Sequence, residues 1–281
     1  MGGCAAPGAA IYGIIEAMNT KRERYDLVFS LGAACACSMV LRRAKLQFAS
    51  FPLDWIARGT PVFRAGLVAS RFDGWLEKDD FEYKGTNPIN GLGMFRNRRT
   101  GLEHLHDFAD APIEESYEAV REKYRRRADR LFALADKARR ILCVYISRPS
   151  MEPVGPGDLK EVRRILSGAF PRAAVDVVHL AHAPGRSPAE RLSREIADGV
   201  FQIEFDYHDP VRDVAIERAA RVLSDEGFAV KDYRTEAEKR AYALKKKMKK
   251  YGAKTRGGLL VAKIKRKVGR LFGLGRAERA V

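Results

Sequence analysis

The amino-acid sequence predicts an α/β fold: a parallel, doubly wound, Rossmann-like sheet with flanking helices, followed by a basic amphipathic C-terminal helix. The first observation is a set of apolar runs bounded by turn-forming residues, as fully buried strands require. The second is that helical patterns separate the later runs. Strand–helix–strand alternation implies parallel strands with helices on both faces of the sheet. The predicted strands are residues 25–31, 141–147, 174–180 and 200–206.

The first strand leads into a glycine turn and the start of a helix. Gly32 permits a sharp turn that a residue with a Cβ would resist, and a helical pattern begins at Ser38. Cys35 is therefore predicted at a helix N-terminus, beside unpaired backbone N–H groups and the positive end of the helix dipole. Both favour the thiolate, which is the nucleophilic form of cysteine. The alternative interpretation is a small, buried, inert residue in a tight strand–helix junction.

The central part of the chain combines an irregular segment with a long helix. Residues 77–105 contain an Asn-Pro step and several glycines, and long irregular segments inside a compact domain are functional or disordered. Within and just beyond this segment, residues 94–97 and 102–108 predict a β-hairpin around the turn-like residues 98–101. Apolar residues at three- and four-residue steps predict a helix over 113–140.

Three further helices are predicted from their start signals. A capping box at residues 158–161 predicts a helix that ends near residue 168. A second capping box at residues 187–190, with proline at the first helical position, predicts another. An Asp-Pro step at residues 209–210 predicts a third helix, which ends near residue 227.

Charge is concentrated at the C-terminal end of the chain. The net charge is +16, yet residues 231–281 hold 18 of the 52 Lys and Arg residues and 4 of the 36 Asp and Glu residues. This asymmetry predicts a nearly neutral α/β domain at residues 22–230 and a basic interaction tail at residues 231–281. Residues 1–21 are expected to be a disordered lead-in.

Composition also argues against several classes of protein. No run of 18 or more apolar residues occurs, so no membrane-spanning helix is expected, and the N-terminus lacks the pattern of a signal peptide. The four cysteines give no disulfide framework, which indicates a reducing compartment. We therefore expect a cytoplasmic protein, with peripheral contact to the inner membrane through its tail.

Three short motifs mark the chain between residues 30 and 108. They are Ser30-Leu31-Gly32-x-x-Cys35, Phe51-Pro52-Leu53-Asp54-Trp55 and Leu105-His106-Asp107-Phe108. Together they resemble a bacterial family of unknown function that is described as putative papain-like cysteine peptidases, over about residues 25–210. The resemblance implies a cysteine nucleophile and a histidine base, at Cys35 and His106. Leu53 stands where an aromatic residue is usual in that family.

The candidate catalytic residues follow from the needs of a thiol nucleophile. Cys35 needs a neighbouring imidazole to exchange its proton, and that imidazole needs a third group to orient it. His106 is the candidate base, because a loop could bring it over the strand–helix junction. Asp54, Asp206 and Asp107 are the candidate orienting groups, although Asp107 would point away from His106 in a regular strand. The alternative interpretation of His106 is a hydrogen-bonded histidine that packs a hairpin.

No metal or cofactor is expected. Cys35, Cys37, His104 and His106 could supply four zinc ligands, but residues two apart on a helix diverge by about 200°. No phosphate-binding loop or G-x-G-x-x-G motif follows a predicted strand. Polar residues do lie near the ends of predicted strands, where open α/β sheets bind ligands. These residues could form a sugar or nucleotide site, or they could simply cap helices and loops. They are His179, His182, Asp206, His208 and Asp209.

The tail pattern predicts an interfacial helix at residues 257–274. In a helix, Leu260, Ile264, Val268 and Leu271 fall on one side, with lysines and arginines beside them. Basic residues attract an anionic surface, so the predicted partner of residues 245–274 is an anionic membrane. Nucleic acid is less favoured, because aromatic residues are not interleaved with the basic ones. The third interpretation is a helix docked on its own domain.

These observations together predict a thiol-dependent hydrolase or acyl-transfer enzyme acting on a peptide, acyl or glycan-linked substrate. One alternative is a non-proteolytic α/β transferase of surface-glycan assembly, peripheral on the inner membrane leaflet. Another is a binding protein in which Cys35 is structural. Fast alkylation of Cys35 near neutral pH separates the first class from the other two.

Overall fold

This computed structural model describes residues 24–32, 34–110, 112–147 and 153–250, without the side chains of the last two. The chain divides into two compact units, with the boundary between Asp232 and Tyr233. The predicted lead-in at residues 1–21 and the amphipathic segment at residues 257–274 lie outside the described residues. None of the described helices is long and apolar enough to cross a bilayer.

The first unit contains a five-stranded sheet in the order β1–β6–β7–β9–β8. The first four strands in that order run parallel to their neighbours, and β8 pairs antiparallel with β9. The four predicted strands are confirmed, each bound lying within two residues of the prediction. The strands are β1 (Leu27–Gly32), β6 (Arg140–Ile146), β7 (Ala174–His182), β8 (Leu192–Ala197) and β9 (Val200–Phe205).

Neighbouring residues of β1 pack against different helices. Val28 belongs to a buried cluster with Val40 of helix α1 (Cys35–Arg43) and Ile216 of helix α5 (Arg212–Asp225). Phe29 makes an edge contact with Phe170, at the end of helix α4 (Pro156–Ala169), with 6.3 Å between ring centroids. Successive strand residues face opposite sides of a sheet. The fold is therefore mixed α/β with a mostly parallel sheet, and the doubly wound Rossmann-like class stays a prediction.

A second sheet has four antiparallel strands in the order β2–β5–β4–β3. The predicted hairpin is confirmed as β4 and β5, but the interpretation of residues 77–105 as irregular is wrong. The missed strand β3 exposes most of its side chains, so no apolar run marks it. The strands are β2 (Ile56–Ala57), β3 (Phe81–Thr86), β4 (Gly93–Asn97) and β5 (Glu103–Phe108).

The other helices differ from the predictions in two places. The long central helix is shorter than expected, since α3 (Tyr117–Ala135) follows a separate 3₁₀ turn. The predicted helix after Ser187 is wrong: the capping box closes a single 3₁₀ turn, and the alternating residues of β8 then pair with β9. Helix α2 (Pro61–Ala69) begins at a proline. Within the second unit, α6 (Glu236–Lys250) was not predicted.

Candidate functional site

The backbone before Cys35 is strained. Gly32 ends β1 with φ +100°, and Ala34 precedes α1 with φ +149° and ψ −173°, a region that glycine normally occupies. Helix α1 then begins at Cys35, as predicted. The N-cap residue Ala34 has no side chain that could cap this helix start, and no capping hydrogen bond is formed by it among the described residues. Strain of this kind concentrates at functional sites.

Cys35 is half-buried and has a cationic neighbour. The Nη2 atom of Arg212, the first residue of α5, lies 3.2 Å from the Cys35 Sγ atom and 2.7 Å from the Met39 Sδ atom. A guanidinium beside a thiol, together with a helix N-terminus, is the environment in which cysteines react as thiolates. Arg212 was not anticipated from the sequence, because 177 positions separate it from Cys35.

The other described cysteines have a different environment. Cys37 is buried and donates its thiol hydrogen to the Val144 carbonyl at 3.3 Å, and burial raises its pKa to about 12. Burial also raises the pKa of Cys143 well above its ordinary value. Both thiols stay protonated at neutral pH. Since Cys37 faces the core and Cys35 faces Arg212, the two sulfurs are not arranged as a ligand pair.

The 51–55 motif packs directly on the helix of Cys35. Its residues Pro52–Trp55 form a 3₁₀ helix. The Ser38 Oγ atom lies 3.2 Å from the carbonyl oxygen of Cys35 and 3.2 Å from that of Asp54. A single hydroxyl group therefore connects the first two motifs.

The carboxylate of Asp54 is fully buried and braces its own loop. Its Oδ2 atom accepts hydrogen bonds from Gln47 Nε2 at 2.7 Å and from the Phe51 amide at 2.9 Å, with Arg42 at 3.5 Å. Burial raises the pKa of Asp54 despite these partners, and Oδ1 has no hydrogen-bond partner among the described atoms. The expected contact with His106 is not formed, because loop 47–51 takes up the side chain.

His106 lies beside Trp55, the last residue of the 51–55 motif. Its ring makes an edge contact with the Trp55 ring, at 6.4 Å between centroids. Its Nδ1 atom is 2.8 Å from the Nδ2 atom of Asn90, which also approaches the Leu105 carbonyl at 3.3 Å. Asn90, and neither of the two expected aspartates, is therefore the side chain in contact with this ring nitrogen. The sequence indicates only that Asn90 is a turn-forming residue near an Asn-Pro step. It does not indicate that Asn90 contacts His106.

The amide of Asn90 is oriented by its backbone contacts. Its Oδ1 atom accepts from the Leu92 N–H at 2.9 Å and its Nδ2 atom donates to the Leu105 carbonyl at 3.3 Å, so Nδ2 faces His106 Nδ1 as a donor. An ionised carboxylate could not take this place, since it has no hydrogen to donate.

Asp107 is joined to His104 instead of His106. Its Oδ2 atom lies 3.1 Å from His104 Nδ1 and accepts from Tyr124 Oη at 2.6 Å, and its Oδ1 atom pairs with Lys123 Nζ at 2.5 Å. Burial opposes ionisation, but the hydrogen bond and charge of His104, and then Lys123, hold the pKa of Asp107 well below its usual range. The expected orientation of His106 by Asp107 is thus replaced by a buried network.

A bulge in β5 explains why Asp107 contacts His104 and not His106. His104 pairs with Phe95 and Phe108 with Gly93, so four steps along β5 match two along β4. Extra residues in one strand rotate its side chains out of simple alternation. His104 and His106 therefore lie in different environments. The zinc hypothesis required them to lie on the same face of the strand. Instead, His104 is fully buried and its Nε2 atom has no hydrogen-bond partner among the described atoms.

The polar residues at the strand ends make local contacts, and His182 Nδ1 lies 3.6 Å from Asp206 Oδ1. His179 Nε2 lies 3.0 Å from Ser147 Oγ, and burial lowers the pKa of His179 to about 4, so it stays neutral. Asp206 accepts from two loop amides, and Asp209 accepts from the Val211 amide and from Arg218. These carboxylates therefore act as turn and cap residues. Within the part of the chain that the structure describes, no three metal-ligating side chains gather at one point.

Comparison with known proteins bears on the same region. Residues 26–153 match the model of a family described as "Putative papain-like cysteine peptidase". This range contains all three motifs. The "Uncharacterized protein R408" of Acanthamoeba polyphaga mimivirus is 24% identical over 149 residues, which covers 45% of this chain and 67% of that protein. No solved structure gives a significant match. The family match supports the resemblance for residues 26–153, and Arg212 lies beyond that range.

Proposed function

We propose that this protein is a papain-like, thiol-dependent hydrolase or acyl-transfer enzyme with Cys35 as its nucleophile. The observation that carries the proposal is the environment of Cys35: a strained turn, an uncapped helix start and a guanidinium 3.2 Å from the sulfur. Cys37 and Cys143 are instead fully buried thiols whose pKa is raised by burial. The family match over residues 26–153 supports the same chemistry.

In the acylation step, the Cys35 thiolate attacks the carbonyl carbon of the substrate. A C–S bond forms, and the carbonyl π electrons move to the oxygen. First-turn N–H groups of α1 are the donors for this oxyanion, because the N-cap residue Ala34 forms no capping hydrogen bond with them. When the oxyanion collapses, the bond to the leaving amine or alcohol breaks. The leaving group takes a proton from the His106 imidazolium, and a thioester on Cys35 remains.

In the deacylation step, neutral His106 accepts a proton from water as the water oxygen attacks the thioester carbon. The C–S bond breaks, the carboxylic acid leaves, and Cys35 returns as the thiolate beside imidazolium. Asn90 holds the ring through its contact with Nδ1. Replacing water by an alcohol or amine converts hydrolysis into acyl transfer. The substrate is thus a carbonyl compound of the peptide, acyl or glycan-linked class.

Mass spectrometry of the acyl-enzyme tests this proposal. p-Nitrophenyl acetate should acetylate Cys35, adding one acetyl group and releasing one p-nitrophenolate in a burst. Cys35→Ala should lose the burst and the adduct, while Cys37→Ala should keep both. Peptide mapping locates the adduct and separates it from acetylated surface lysines. An adduct absent from Cys35 in the folded wild-type protein would contradict the proposal.

We also propose that the tail associates with anionic membranes. Helix α6 places Ala237, Ala241, Leu244 and Met248 at helical spacing on one side, and the lysines at 245–247 are exposed. Basic residues near an anionic surface contribute about 1 kcal/mol each. This charge supports a peripheral contact, which the segment at residues 257–274 would extend.

A further inference from the structure

Arg64 is a fully buried cation with no carboxylate partner among the described residues. Burial lowers its pKa to about 10, so it remains charged at neutral pH. Its hydrogen bonds all go to backbone carbonyl oxygens. They are Leu31 at 3.0 Å, Ile56 at 2.7 Å, Arg58 at 2.8 Å from Nε with a second contact from Nη2, and Gly59 at 3.4 Å.

These carbonyls belong to the segments that carry the candidate catalytic residues. Leu31 precedes Gly32 at the end of β1, which leads into Cys35. Ile56 follows the 51–55 motif and pairs with His104 in β5, two positions before His106. One guanidinium therefore connects the strand that presents the thiol with the sheet that presents the imidazole.

The position of the Arg64 guanidinium explains why residue 32 is a glycine. A Cβ at this position would lie 2.2 Å from Nη1 and 2.8 Å from Cζ of Arg64, and the residue has φ +100°. Both the backbone angle and the close approach of the guanidinium require glycine. The glycine of the G-x-x-C motif thus makes room for the arginine as well as the turn.

We propose that Arg64 is a positioning residue that sets the separation of Cys35 and His106. This inference rests on the proposed function. The planar fork of arginine reaches several carbonyls at fixed angles, whereas lysine supplies a point charge on a flexible stem. Without the fork, the Leu31 and Ile56 carbonyls lose a shared donor, and the two sheets lose a link beside the reacting groups.

The test compares Arg64→Lys with Arg164→Lys, which changes an exposed arginine paired with Glu161 on α4. Circular dichroism and thermal melting verify the fold. Iodoacetamide labelling of Cys35 from pH 5 to 9 then reports the paired state of the thiol. Arg64→Lys should slow labelling below pH 7 by about tenfold or more and leave a simple thiol profile, since small displacements of reacting groups have large effects. Arg164→Lys should match wild type.

A second measurement guards against misfolding. The buried thiol of Cys37 should stay unlabelled in Arg64→Lys as in wild type, which shows that a slower Cys35 reaction does not come from an opened core. A folded Arg64→Lys protein with the wild-type rate and profile would overturn the inference while the proposed function stands. Wild-type Cys35 that labels no faster than in the urea-unfolded chain would overturn the proposed function, and this inference with it.

Discussion

Arg212 holds its guanidinium 3.2 Å from the sulfur of Cys35, although the two residues lie on different helices. Helix α1 follows β1 and helix α5 follows β9, and these strands run in the same direction through β6 and β7. Both helices therefore begin at the carboxyl edge of the sheet, where open α/β folds place their ligand sites. The contact joins the family-matched segment to a helix that lies beyond it.

Replacing Arg212 should slow the reaction of Cys35. In Arg212→Met, we expect alkylation at pH 7 to fall about fivefold, the effect of roughly 1 kcal/mol for a charge in contact with the sulfur at a solvated site. Arg212→Lys should retain part of the rate. Peptide mapping after timed iodoacetamide treatment measures this, with Arg221→Met on the exposed side of α5 as control. A Cys35 rate unchanged in Arg212→Met would show that the guanidinium has no effect on the thiol.

Asn90→Ala should impair acyl transfer without unfolding the protein. Asn90 is exposed, so its loss leaves the core intact, while His106 loses the partner of its Nδ1 atom. We expect the acylation burst rate to fall by about tenfold, within the range of general acid–base contributions. Asn87→Ala is the matched control, because Asn87 also donates to the Leu105 carbonyl but does not contact the ring. If both variants lower the burst rate equally, Asn90 only maintains the loop and has no separate effect on His106.

Asp107→Asn should destabilise the fold by about 3–5 kcal/mol, because it breaks a buried network and leaves Lys123 without its partner. The pKa of Asp107 is lower in the folded protein than its value of about 3.9 in the unfolded chain. Its stabilising contribution is therefore complete above about pH 5 and falls as the pH drops below about 4.

Urea unfolding of wild type and Asp107→Asn between pH 3 and 7 measures this contribution. The difference in unfolding free energy should be constant from pH 5 to 7 and should shrink toward pH 3. Asp225→Asn, on the surface of α5, provides a control with no such trend. A difference that grows toward pH 3 would contradict the assigned direction of the pKa.

The tail proposal predicts charge-dependent vesicle binding. Changing Lys245, Lys246 and Lys247 to Gln should weaken co-sedimentation with phosphatidylserine vesicles about a hundredfold, since each basic residue contributes about 1 kcal/mol. The same change at Lys78, Lys137 and Lys160 of the first unit is the control. Binding of wild type should fall at high salt. Tight, salt-sensitive binding to duplex DNA without vesicle association would favour nucleic acid as the partner.

The parallel strands were predictable because their signals are local. Each is a short apolar run closed by turn residues, and the cysteine turn is readable from Gly32 and the helix pattern that follows. Strands β3 and β8 lack that signal, since most of their side chains are exposed or only half-buried. The capping box at residues 187–190 led to a wrong helix prediction. The residues after the 3₁₀ turn pair with β9 as strand β8 and do not extend the turn into a helix.

The composition of the site depends on contacts that no local pattern encodes. Arg212 reaches Cys35 only because α1 and α5 pack side by side. The pairing of Asp107 with His104 accompanies the β5 bulge, which is visible only in the register of β5 against β4. Arg64 reads in the sequence as an ordinary helix arginine, and its burial becomes apparent only when β1 and β2 meet around it.

The rate of Cys35 alkylation in the native protein tests the central claim most directly. Wild-type protein is treated with limiting iodoacetamide at pH 6, and the three thiols at Cys35, Cys37 and Cys143 are quantified by peptide mapping, before and after unfolding in urea. Native Cys35 should react at least about tenfold faster than the same residue in urea, because the Arg212 guanidinium and the helix start face its sulfur only in the fold. The two buried thiols should react only after unfolding. A native Cys35 rate equal to or below the unfolded rate would contradict Cys35 as the nucleophile.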